Sequence, residues 1–121
     1  MARLLVDASN VIGSRPDGWW RDRDAAARRL IEALRAFAAE TGEQVRVVLD
    51  AGPAELAAAD VVIAPRRGRD AADDEIVRLL AADPDPGSVT VVTSDAALAQ
   101  RVRELGARVE GAGAFRARLG Y

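Results

Sequence analysis

Leu4-Leu5-Val6-Asp7-Ala8-Ser9-Asn10, near the start of the 121-residue chain, sets a short apolar run against an acid and turn-forming residues. Met1 to Val6 therefore reads as a buried strand that ends in a loop. The pattern recurs. Val45 to Leu49 ends at Asp50, Asp60 to Ala64 is closed by Pro65, and Ser88 to Thr93 ends close to Asp95. A fifth short strand is expected over Ala107 to Glu110. Helical spacing fills the gaps. Ala26, Leu30, Ala33, Leu34 and Phe37 recur at three and four, which predicts a helix from about Arg23 to Glu40, stopped by Gly42. Further helices are expected over Ala51 to Ala59, starting near Pro53, over Ala71 to Ala82, and over Asp95 to Leu105, stopped by Gly106. Gly13 to Gly18 reads as a turn, and Gly111 to Tyr121 as holding one helical turn. Strand and helix in alternation imply one α/β domain over 1–121, a three-layer α/β/α sandwich around a mainly parallel sheet of about five strands.

Ligands of such sheets bind beyond the carboxyl ends of the strands, where the strand order switches. Asp7, Asp50 and Asp95 are all expected there. The chain has no His and no Cys, so its chemistry falls to carboxylates. Carboxylates that meet at one point stay ionised together only when a cation joins them. A hard divalent ion such as Mg²⁺ or Mn²⁺ held by few protein ligands keeps water that can be activated for attack on phosphorus. Each acid also has a plainer reading. Asp7 can cap the next turn, Thr93, Ser94 or Asp95 can cap a helix, and Asp50 can belong to a simple turn. Asn10 can orient Asp7, ligate through its carbonyl oxygen, or bond its own backbone. In Arg69-Asp70-Ala71-Ala72-Asp73-Asp74-Glu75, the buried stripe Ile76, Leu79 and Leu80 places Asp73 at its margin, about 60° from Ile76 on a period of 3.6 residues. Asp73 is thus the acid expected to face the strand ends. Asp74 is second, Asp70 is a candidate cap, and Glu75 lies on the opposite flank.

Half the residues are hydrophobic and 30% are charged, as in an ordinary globular domain. No apolar run approaches the roughly 18 residues of a membrane span, and no signal peptide is recognisable. The absence of Cys fits a reducing cytoplasm. The net charge of −2 gives no global field for nucleic acid, but every basic residue is Arg. Arg15, Trp19, Trp20, Arg21 and Arg23 follow the Asp7 strand, and Arg66, Arg67 and Arg69 precede Asp73. Guanidinium groups interleaved with aromatic rings suit single-stranded nucleic acid, although the tryptophans equally suit core packing or a homodimer contact. Other chemistries lack their residues. Receiver domains and haloacid-dehalogenase-type phosphatases need a Lys, and an Asp-x-Ser-x-Ser adhesion site fails at Val11. No glycine-rich dinucleotide or phosphate loop occurs, so no organic cofactor is expected.

Leu4-Leu5-Val6-Asp7-Ala8-Ser9-Asn10-Val11-Ile12-Gly13 resembles the opening Asp-x-x-Asn-Val/Met-Ile-Gly of NYN domains, in their YacP-like branch within the PIN-like nucleases. Val48-Leu49-Asp50-Ala51 is similar to that branch's second-strand ending. Ala71-Ala72-Asp73-Asp74-Glu75-Ile76 is similar to its Thr-Ala-Asp-x-x-Ile, and Thr93-Ser94-Asp95 to its Ser-Asp. The likeness spans nearly the whole chain in order. It implies a PIN-like fold and an Mg²⁺ or Mn²⁺ site of Asp7, Asp73 and Asp95, with Asp50 as a supporting acid; Asp50, through a metal-bound water, and Asp74, second on the helical wheel, are further candidate ligands. It gives Asn10 an accessory role; from their places beside the acids, Asn10, Ser94, Trp19, Trp20, Arg66, Arg67 and Arg69 are the residues expected to meet the substrate. The implied activity is a cytoplasmic metal-dependent endoribonuclease acting on single-stranded RNA. An RNA-binding or scaffold module with a degenerate site is the alternative, and a small nucleotide phosphatase the third reading. One departure stands out. PIN nucleases often carry a further acid after the last helix–strand junction, and Glu110 before Gly111-Ala112-Gly113 matches no such motif. The chain also lacks much of the C-terminal tail common in YacP-like proteins.

Overall fold

The computed structural model describes residues 3–68 and 70–121. Five strands form one parallel sheet: β1 (Arg3–Asp7), β2 (Gln44–Leu49), β3 (Val61–Ile63), β4 (Val89–Val92) and β5 (Arg108–Glu110), in the order β3-β2-β1-β4-β5. Helices α1 (Ala8–Gly13), α2 (Arg23–Thr41), α3 (Ala71–Ala82), α4 (Ala96–Glu104) and α5 (Ala112–Leu119) cover both faces. Strand residues alternate between faces. Leu4 and Val6 join α1, α2 and α5 in one core, which Leu30, Phe37 and Phe115 fill. Leu5 and Val91 join α3 and α4 in the other, with Ile76, Leu80, Leu98 and Val102. The central strands are apolar on both sides because both faces are covered. This is the three-layer arrangement expected from the alternation of elements.

The ends of the long helices follow their sequence signals. Asp22 caps α2 by accepting the Ala25 backbone N–H at 3.0 Å, and Gly42, at φ +75°, closes it. Three expectations differ from what forms. The residues after β1 make helix α1 rather than a loop, because Ala8, Val11 and Ile12 are spaced to bury one helical face. Over Ala51 to Ala59 only a short 3₁₀ turn, Ala54–Leu56, forms, because Leu56 alone packs on the core. The C-terminal segment forms the full helix α5, not a single turn, around the buried Ala112 and Phe115.

The chain leaves β1 for β2 and β3, then crosses back to β4 on the other side of β1. The switch in strand order thus lies between β1 and β4. Among the described residues, no helix is long and apolar enough to cross a membrane.

Candidate active site

Asp7 ends β1 with its side chain fully buried. Three donors satisfy it: Ser9 Oγ reaches Oδ1 at 3.2 Å, while Asn10 Nδ2 and Thr93 Oγ1 each reach Oδ2 at 2.9 Å. Burial pushes the Asp7 carboxyl above its ordinary value, and the hydrogen bonds from Thr93, Ser9 and Asn10 oppose that rise. Register explains the contact with Thr93. Val6 pairs with Val92, so the next residues of the two strands stand side by side at the switch point.

Asn10 is held at both ends. Its amide donates to Asp7, and its Oδ1 accepts the Ser94 backbone N–H at 3.0 Å. Of the roles open to it from sequence, orienting Asp7 is the one its contacts display. Ser94 is likewise tied, its Oγ accepting the Ala112 N–H at 2.8 Å, which roots α5 on the loop after β4. From sequence Thr93 is one of three candidate caps of the next helix, and its bond to Asp7 is what the structure adds. The available signal was a hydroxyl at the end of an apolar strand, where a partner for a buried acid would be needed. Its Oγ1 also accepts the Asp95 N–H at 3.1 Å. Thr93→Val removes both bonds without changing the shape of the side chain. The expected cost is about 1–3 kcal/mol in urea unfolding at neutral pH. Asp7 titrates above its unfolded value, and losing a donor raises it further, so the deficit shrinks as acid protonates Asp7.

Asp95 caps α4, its Oδ1 accepting the Leu98 N–H at 3.0 Å. Asp73 lies in the first turn of α3, half-buried and without a hydrogen bond among the described residues. Its carboxyl is pushed up to about 6, first by burial and then by the charges of Asp7, Asp95 and Asp70, with Arg101 opposing. Asp73 thus faces the field of the other two acids. Asp74 instead points outward to Arg101, 3.2 Å away. Glu75, expected on the far flank, is buried and held by Arg78 Nε and Nη2 at 2.6 and 2.9 Å. Asp70 stands at the start of α3 but accepts no capping bond.

Asp50 is exposed after β2 and is absent from the charges that act on Asp73. It borders a separate hollow with Ser9 and Trp19. Glu110 is engaged by Arg118 at 3.0 and 2.9 Å. Arg66 and Arg67 are exposed on the loop between β3 and α3, with no ion pair among the described residues. Arg69 lies outside those residues. Trp19 packs partly on the core and meets Trp20 edge-on at 6.0 Å, while Trp20 is 56% exposed.

The oxygen-only donor set suits a hard divalent ion, and all of Asp73 and Oδ2 of Asp95 lack partners among the described residues. Those residues contain no group of three acidic side chains drawn together closely enough to hold a metal ion. An ion here would keep several of its waters. A larger hollow of about 500 Å³ lies at the opposite end of the sheet. Its Arg3 and Arg35 are paired with Asp83 and Asp60, and parallel sheets do not use that end for chemistry.

A parallel sheet whose order switches between β1 and β4, with acids on the elements that follow both strands, is the α/β architecture that binds ligands at the carboxyl ends of its strands. The YacP-like NYN domain model matches residues 4–120, and the chain belongs to this nuclease-like, RNA-related family. Its fold is similar to that of a mutant of Rae1 (YacP) from Bacillus subtilis, at 26% identity and a TM-score of 0.80, covering 99% of this chain and 76% of that one. The unmutated Rae1 (YacP) gives 25% identity and a TM-score of 0.79, covering 99% and 74%. No curated protein matches the chain.

Proposed function

We propose that this domain is an endoribonuclease that hydrolyses single-stranded RNA with the help of Mg²⁺ or Mn²⁺. One observation carries the reading: Asp7 ends β1, Asp95 caps α4 just after β4, and the half-buried Asp73 lies in the first turn of α3, three acids on the elements around the strand switch. Like charges set facing one another without a built-in cation are costly for a fold, and a divalent ion offsets that cost. Asp7, Asp73 and Asp95 would draw together on the ion, which when bound would supply an activated water and charge neutralisation at the phosphodiester. Asn10 and Thr93 keep Asp7 in place. Arg66, Arg67 and Arg69 would receive phosphates, and the exposed Trp20 would stack on a base. The absence of Cys suits a reducing cytoplasm.

Cleavage of a single-stranded RNA in Mn²⁺, lost on chelation and restored by Mg²⁺ or Mn²⁺, is the expected result. Equal cleavage in chelator would remove the metal from the mechanism. A second reading, RNA binding without turnover, draws on the engagement of Glu110 by Arg118. Salt-sensitive RNA affinity with no cleavage in any divalent ion would favour it.

The arginine loop has its own test. Arg66→Gln with Arg67→Gln is expected to weaken RNA binding for every sequence alike. The slope of log affinity against log salt should become shallower by about 1.4, at roughly 0.7 per phosphate contact on single strands. An unchanged slope would take these two residues out of the interface.

A further inference from the structure

A hollow of about 270 Å³ opens beside the acids, between α1, the first turns of α2 and the residues after β2. It is smaller than the roughly 300–1,000 Å³ pockets that take drug-sized ligands, and suits one planar base. Trp19 gives it an aromatic wall, with the Arg23 guanidinium 5.4 Å from the centre of that ring. Ser9 joins the hollow to the candidate active site, because it lines the one and donates to Asp7 in the other. An aromatic wall and an arginine next to a centre that acts on phosphodiesters form the usual equipment for stacking a base of a single strand.

The polar groups of the hollow narrow the choice of base. Asp24 and Asp50 line it, both exposed, and neither has a hydrogen bond or ion pair among the described residues. Ionised carboxylates only accept hydrogen bonds. Guanine presents N1–H and N2–H₂ side by side, two parallel donors that match one carboxylate. Adenine and cytosine each set their amino group beside an acceptor, and uracil flanks its single N–H with two carbonyls.

We propose that this hollow is a guanine-selective base subsite, with Trp19 stacking on the ring and the carboxylates of Asp24 and Asp50 accepting from its Watson–Crick edge. The inference rests on the ribonuclease reading for the origin of the base, but its test needs no cleavage. The full chain, in chelator, is titrated with each of the four ribonucleoside monophosphates. The indole N–H signal of Trp19 is followed in proton–nitrogen spectra, with Trp20→Phe used to assign it. Guanosine monophosphate is expected to half-saturate the Trp19 shift at about fivefold lower concentration than the other three. That is the low end for a base-edge contact, because both carboxylates face solvent. Asp24→Asn together with Asp50→Asn should abolish the preference while the Trp19 shift remains.

Equal response to all four nucleotides would overturn the base selectivity. A Trp19 signal moved by Mg²⁺ in the absence of chelator, but by no nucleotide, would overturn the subsite in favour of a cation. If either result accompanies intact RNA cleavage, the nuclease reading stands and the subsite falls. Guanine selectivity without any cleavage keeps the subsite and removes the nuclease.

Discussion

Asp73→Asn is expected to abolish RNA cleavage and, at neutral pH, to raise the melting temperature. The two effects share one cause. The Asp73 carboxyl is pushed from an ordinary value of 3.8 up to about 6, first by burial and then by Asp7 and Asp95. Its folded value lies above its unfolded one, so folding favours the protonated form. The ionised form therefore costs stability, a cost that appears as pH rises from about 4 to about 6 and persists above. Asn resembles the protonated acid and escapes that cost. Parent and variant should melt together below about pH 4 and separate, in favour of the variant, by pH 7. Activity moves the other way. Changing a group that merely supports a metal ligand costs 10–100-fold, so removing a proposed ligand should cost at least about 100-fold. Mn²⁺ at a hundred times its dissociation constant should stabilise the parent by about 2.7 kcal/mol and the variant far less. Asp95→Asn makes a useful parallel, since Asn caps α4 nearly as well as Asp and the helix should persist while cleavage fails. If Asp73→Asn cleaves like the parent, or melts lower at pH 7 and still gains from Mn²⁺, the proposed role of Asp73 is wrong.

That Asp73 could be chosen among five neighbouring polar residues follows from helical geometry alone. The stripe Ile76, Leu79 and Leu80 sets which side of α3 faces the sheet, and the acid at its margin is left facing the strand ends. Asp74, one residue on, is rotated by about 100° and reaches Arg101 instead. The strands were legible for a similar reason, because their apolar runs are short and each is bounded by turn residues or an acid. Three features were harder to read. Asp7-Ala8-Ser9-Asn10 has the composition of a turn, and α1 forms because Val11 and Ile12 find the core, a tertiary effect. Glu75 is buried because Arg78 is one helical turn away to pair with it, and wheel position says nothing of such pairing. Thr93 gains its role from a residue 86 positions away, set by strand register that no local pattern contains.

The C-terminal helix is about twice the single turn expected of it, and it yields the second large effect: Phe115→Ala should destabilise the fold by about 3–5 kcal/mol. Gly111 and Gly113 weaken the local helix signal. Phe115 outweighs them, fully buried and edge-on to Phe37 with ring centres 5.6 Å apart. The Arg118 guanidinium lies 5.4 and 5.5 Å from the two ring centres and extends the contact to the surface. A domain of this length has roughly 5–15 kcal/mol of total stability, so the loss is a large share of it. At about 4 °C per kcal/mol, the melting temperature should fall by roughly 12–20 °C. Trp20→Ala, at an exposed ring, should change it little. The consequence reaches the candidate site, because α5 is anchored to it by Ala112 on Ser94 and by Arg116 on the Ser14 carbonyl. Loosening α5 should free the loop that carries Asp95. Amide exchange at Ser94 and Asp95 should then quicken in Phe115→Ala even where the rest of β4 stays protected. A loss below about 1 kcal/mol, with exchange at those two residues unchanged, would show that α5 neither completes the core nor steadies the acids.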